Sequence, residues 1–123
     1  MIITSKEIKK FCGVRGWLVF PTDREYQALT DEEVQDLYSG FIEFLALIGK
    51  LDYVAETNDC DDFAAQFWAY CRRTANYSRP PAVGFFITPG HAINVIFTPA
   101  GKKYFEPQSG KYVSKAPLSL LVV

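Results

Sequence analysis

The feature that most restricts how this chain can fold is a single change of hydrophobic period at Arg79-Pro80-Pro81. Before it, apolar residues recur at helical spacing. After it, they gather in short runs rich in β-branched and aromatic residues. Thr30 and Glu33 form a capping-box signature, and Val34, Leu37, Tyr38, Phe41, Phe44, Leu45 and Ile48 follow on a helical stripe, so a helix is predicted over 31–49, closed by Gly49. Asn58-Asp59 offers side-chain oxygens to start a second long helix, which carries Cys60, Ala64, Phe67 and Cys71 on one stripe and ends near Tyr77. A shorter helix is predicted from the Thr4/Glu7 pair through Phe11. Beyond Ala82, residues 83–88, 92–97 and 103–105 read as strands separated by Pro89-Gly90 and Pro99-Ala100-Gly101, with a weaker strand through 111–113. Helices followed by strands predict an α+β fold, with the N-terminal helices packed on a C-terminal antiparallel sheet. Trp17, Leu18, Val19 and Phe20 form an apolar patch expected to pack under the main helices.

At 123 residues the chain is long enough for one core and too short for two, so a single domain spanning 1–123 is expected. The 13 Lys and Arg balance 14 Asp and Glu, and the basic pairs Lys9-Lys10, Arg72-Arg73 and Lys102-Lys103 are scattered, which argues against nucleic acid as a partner. No apolar run approaches the roughly 20 residues needed to span a bilayer, and the first residues lack the order of a secretory signal. A cytoplasmic protein without a membrane segment is therefore expected. Three cysteines, with Cys60 and Cys71 about three helical turns apart, do not suggest a disulfide framework. Cys12 and Cys71 are expected in the core, as is the aromatic set Trp17, Phe41, Phe44, Phe67 and Trp68.

The residues that carry chemistry are Cys60, His91 and Glu106. Cys60 falls in the first turn of its helix, where unpaired N–H groups and the helix dipole favour a thiolate. His91, the sole histidine, opens a strand, and Glu106 closes the next. In a hairpin where Thr98 pairs with Gly101, Ile93 faces Glu106 and His91 faces Gln108, so either Glu106 or Gln108 could orient the imidazole. A thiolate nucleophile, a histidine to move the proton and a polar group to fix the ring make a catalytic triad. Asp59, Asp61 and Asp62 crowd Cys60 with negative charge that opposes its ionisation, unless His91 or a bound cation offsets them.

The run Asn58-Asp59-Cys60-Asp61-Asp62-Phe63-Ala64, with Gly90-His91-Ala92 on a strand and Glu106 after it, resembles the papain-like and transglutaminase-like cysteine protease superfamily. More narrowly it is similar to the C-terminal protease domain of the Marasmius oreades agglutinin-related proteins. The resemblance covers about 58–110. It implies a papain-like fold, Cys60 as nucleophile, His91 as base, Glu106 as orienter, and Asp61 and Asp62 as ligands of an activating calcium ion. Two adjacent carboxylates fall short of the six or more oxygens that calcium takes. No sugar-binding domain accompanies these residues, so carbohydrate targeting is not inherited.

On this reading the chain is a cysteine hydrolase, a thiol peptidase or amidase acting on peptide or isopeptide bonds of a peptide or protein substrate. Transglutaminase-like acyl transfer shares every step before the resolving nucleophile. The alternative is a noncatalytic binding or interaction module that keeps the fold and uses its cleft for a ligand, with a mobile element as a compatible setting.

Overall fold

The structure, a computed structural model, describes residues 1–12, 18–52, 54, 59–88, 91–114 and 120–123. The side chains of 11, 12, 18–20, 61, 86–88, 91, 120 and 121 lie outside that description. Strand β1 (Ile2–Thr4) leads into helix α1 (Ser5–Cys12), then β2 (Leu18–Phe20), β3 (Glu25–Gln27), α2 (Asp31–Leu47) and α3 (Cys60–Thr74). Five strands follow: β4 (Val83–Thr88), β5 (His91–Thr98), β6 (Gly101–Glu106), β7 (Lys111–Val113) and β8 (Leu120–Val122).

The capping signatures form as predicted. Glu7 N donates to Thr4 Oγ1 and Thr4 N to Glu7 Oε2 at the start of α1. Thr30 and Glu33 make the same reciprocal pair at the start of α2. Beyond Leu47, Gly49 takes φ +72, the left-handed conformation that ends a helix without a Cβ penalty.

The mixed α+β character holds, but the sheet is neither purely antiparallel nor confined to the C-terminal part. Its six strands run in the order β2-β8-β4-β5-β6-β7, and β2 pairs with β8 in parallel. Leu18–Phe20, expected as packing beneath the helices, is thus an edge strand. Trp17 and Cys12's side chain fall outside the described residues. Strands β1 and β3 form a separate antiparallel pair, Ile3 opposite Tyr26. These short strands give too few residues for a period to show.

The β5–β6 hairpin has the register predicted, from Thr98↔Gly101 to Asn94↔Phe105. β5 is buried on both faces, as its near-continuous apolar run requires. Ile93, Val95 and Phe97 join Ile3, Ile8, Tyr26 and Ala28 on one side. Ile96 and Phe105 join Val34, Phe41, Leu45, Phe67 and Cys71 of α2 and α3 on the other. The sheet therefore lies between the α2/α3 pair and a smaller layer from α1, β1 and β3. Each fully buried Phe or Ile here contributes about 1.5–3 kcal/mol of transfer free energy.

Asn94 is a polar residue within this core. Fully buried, its Nδ2 donates to Ala64 O of α3 at 2.9 Å and to Gly84 O of β4 at 3.1 Å, which fixes the helix against two strands. At the start of α2, Asp31 accepts from Lys103 Nζ at 2.9 Å and from the Tyr112 hydroxyl at 2.7 Å, and these bonds hold its carboxyl below the ordinary 3.8. The Tyr77 hydroxyl donates to Glu33, which lowers the Glu33 carboxyl. Burial and then that carboxylate push Tyr77 up to about 12.

Candidate functional site

Cys60 opens α3 and is half-buried. The Asn94–Ala64 bond lies one turn further along α3, and His91 lies three residues earlier on β5, so the topology brings positions 60 and 91 to the same end of the sheet. His91 pairs with Thr88 of β4, and its side chain is outside the described residues. Glu106 ends β6 opposite Lys111, and its charge acts on Tyr38 of α2, whose hydroxyl is raised first by burial and then by that carboxylate. Among the described residues no hydrogen bond joins Cys60 to Glu106. Gln108 does not face His91, because Pro107 cannot donate to a further ladder bond and the chain turns through 107–110 instead. Gly110 closes this turn at φ +71, where a Cβ would strike the Tyr38 ring at 2.3 Å.

The expected metal ligands are otherwise engaged or undescribed. Asp62 Oδ2 accepts from Asp59 N at 3.1 Å, capping α3. The Asp61 side chain is outside the described residues. Among the described residues no group of three or more His, Cys, Asp or Glu side chains could hold a metal ion. Cys71 is buried, and burial pushes its thiol up, consistent with the core role expected of it.

A different concavity lies on the outer side of the helix pair. A groove of roughly 440 Å³ runs between the C-terminal half of α2 and the last two turns of α3, lined by Phe44, Ile48, Gln66, Ala69, Tyr70, Arg73 and Thr74. Its volume is within the range of ligand pockets. Gly40 lets α3 approach α2 here, since a Cβ at that position would sit 2.3 Å from the Tyr70 hydroxyl oxygen. Tyr70 then leans on Phe44, ring centroids 5.8 Å apart, to make an aromatic wall. Phe44 is 41 % exposed and Ile48 49 %, so the expectation that Phe44 belongs to the core is corrected. The polar edge is Gln66, whose Oε1 is buried and has no hydrogen-bond partner, with Thr74 and Arg73. Sequence reasoning missed this groove. The available signal was an apolar surface on α2 too wide for one buried stripe, with Phe44, Leu47 and Ile48 clustered at one end.

No family model and no curated protein matches the chain. Solved structures do. It is similar to PSL1a in a structure described as the PSL1a-E64 complex, with TM-score 0.82 and 19 % identity over 99 % of this chain and 50 % of that one. It is also similar to Polyporus squamosus lectin bound to the human-type influenza-binding epitope Neu5Aca2-6Galb1-4GlcNAc, with TM-score 0.73 and 20 % identity over 97 % of this chain and 49 % of that one. The chain thus spans about half the length of the structures it matches. At this identity the likeness is one of fold.

These neighbours correct the family and the activity expected from sequence. The second is named as a lectin and not as a papain-like protease, and the assignment as a cysteine hydrolase with a Cys60, His91, Glu106 catalytic triad is withdrawn on that ground. The expected peptide substrate goes with it. A short run such as Cys-Asp-Asp-Phe-Ala fits a helix start equally well without chemistry: the Asp62 carboxylate serves the cap, and Phe63 and Ala64 serve the core. Among the described residues no helix is long and apolar enough to cross a membrane.

Proposed function

We propose that this chain is a noncatalytic binding module and that the α2/α3 groove takes its ligand, a saccharide. The observation that carries the reading is the pairing of an exposed aromatic wall, Phe44 and Tyr70, with hydrogen-bonding groups along one edge of the same groove. A pyranose has an apolar face of C–H groups and a rim of hydroxyls. The face suits the aromatic wall, and the rim suits the Gln66 amide and the Thr74 hydroxyl. The Thr74 Oγ1 proton is spent on Tyr70 O at 2.6 Å, which leaves the oxygen as an acceptor for a ligand hydroxyl. The saccharide bound by the lectin that shares the fold supports this ligand class. That lectin is about twice as long, so the contacts proposed here rest on this chain's own groove.

The test is an amide chemical-shift titration of the labelled protein against a panel of neutral and acidic mono- and disaccharides. Shifts that saturate at residues 44, 48, 66, 70 and 73, and that Tyr70→Ala abolishes, are the expected result. Saturable shifts confined to the sheet, or an unshifted spectrum across the panel, would remove the groove as a saccharide site.

A further inference from the structure

We infer that the open face at the end of α2 docks a second copy of this chain, with Leu47 of each copy seated in the α2/α3 groove of the other. This goes beyond the saccharide reading and does not rest on it; the two occupants exclude one another. Phe44, Leu47, Ile48 and Leu51 are 41, 85, 49 and 43 % exposed. Together they present roughly 400 Å² of mainly apolar surface, a patch of the size that often marks an interaction site. The face holds both halves of a contact. Leu47 projects into solvent beside Phe44, and the groove next to it, roughly 440 Å³, has room for a leucine side chain. A twofold contact uses each half twice, the knob of one copy filling the hollow of the other.

Charge fixes how the copies lie. α3 runs antiparallel to α2, since Phe67 packs on Phe41 and, further along, Tyr77 donates to Glu33 in the first turn of α2. Arg73 therefore lines the part of the groove nearer the start of α2. Glu43 lies one turn before Leu47 and, like Arg73, is exposed and makes no ion pair among the described residues. With the two α2 helices side by side and parallel about the twofold axis, Leu47 enters the partner's groove and Glu43 comes alongside the partner's Arg73. The pair forms twice. In the antiparallel arrangement Glu43 would face the other end of the groove and both charges would go unanswered. An apolar patch flanked by one acid and one base complements itself, so a second copy satisfies it without a partner of different composition. With its polar rim the contact reaches only the low end of specific interfaces, which sets a reversible dimer with Kd of about 10–100 μM.

Analytical ultracentrifugation of the whole chain from about 1 to about 500 μM should show a monomer passing to a dimer. Leu47→Asp should weaken the dimer at least about tenfold, because it sets a charge in the hollow. Glu43→Arg and Arg73→Glu should each weaken it about five- to tenfold by bringing like charges together. The double variant, in which the two signs are exchanged, should recover the wild-type Kd to within about threefold. Circular dichroism at about 1 μM, where the chain is monomeric, shows that each variant is folded. A wild-type chain that stays monomeric throughout that range, a dimer that survives Leu47→Asp, or a double variant no better than either single one overturns the proposal. Each of those outcomes leaves the saccharide reading standing, since the experiment contains no saccharide.

Discussion

The two ends of α2 use the same helix for opposite purposes. At its start Thr30, Asp31 and Glu33 are all engaged: the Thr30/Glu33 box, the Tyr77 hydroxyl on Glu33, and Lys103 and Tyr112 on Asp31. Three acids stand in the first turn, where the helix dipole favours them. At its end the last turn has no basic residue to answer the dipole, Leu47 is 85 % exposed, and Phe44 and Ile48 face a groove. One end anchors the helix to the sheet. The other leaves apolar surface exposed, and anchored and open surface are thereby separated along the 17 residues of one element.

The largest test of that division is Phe41→Ala. Phe41 sits between the two ends, fully buried against Phe67 and Tyr70 with ring centroids at 5.2 and 5.6 Å. Truncation should cost about 3–5 kcal/mol in urea unfolding and also loosen the groove wall through Tyr70. A loss below about 1 kcal/mol would mean that the helix pair does not share one core.

Acidification acts on the anchored end. Asp31 and Glu33 have folded carboxyls below their ordinary 3.8 and 4.5, so the stability they contribute is fully present above those values and is lost as pH falls through the lowered ones. The Lys103 pair is exposed enough that its share is at most about 1 kcal/mol. Urea midpoints should fall between neutral pH and about pH 3, and Asp31→Asn should reduce the fall. An unchanged difference in that variant would remove Asp31 from the anchor.

The smallest effect belongs to the open end. Leu47→Ser should change stability by no more than about 0.5 kcal/mol, because the side chain is almost entirely in solvent. A loss above about 1 kcal/mol would show that Leu47 is packed and that the two ends do not differ as described.

What the sequence revealed follows the same divide between local and distant interactions. The helix starts at Thr4 and Thr30 were legible because their partners are three residues away, and the hairpin at Pro99-Ala100 because a tight turn sets its register. The parallel pair β2–β8 was not legible. Phe20 meets Val122 across most of the chain, and no three-residue strand announces so remote a neighbour. Of the site, the place of Cys60 at a helix start was legible, whereas Gln108 was misplaced because β6 stops at Glu106. The groove was hidden because Phe44 and Ile48 share the spacing of buried residues. Whether such residues are covered depends on where α3 crosses, and that is decided by Gly40 and Tyr70.

The position of β8 also bears on how the fold is made. The strand that comes last in the sequence lies between β2 and β4, so a nascent chain emerging from a ribosome presents both neighbouring edges before their partner exists. Completion of the sheet waits for residues 120–122 to clear the exit tunnel. Until then β2, whose partners lie about 100 residues further along the chain, has no place in the sheet, and assembly on this side is governed by the slow closure of a long loop and not by the quick local steps that form α2.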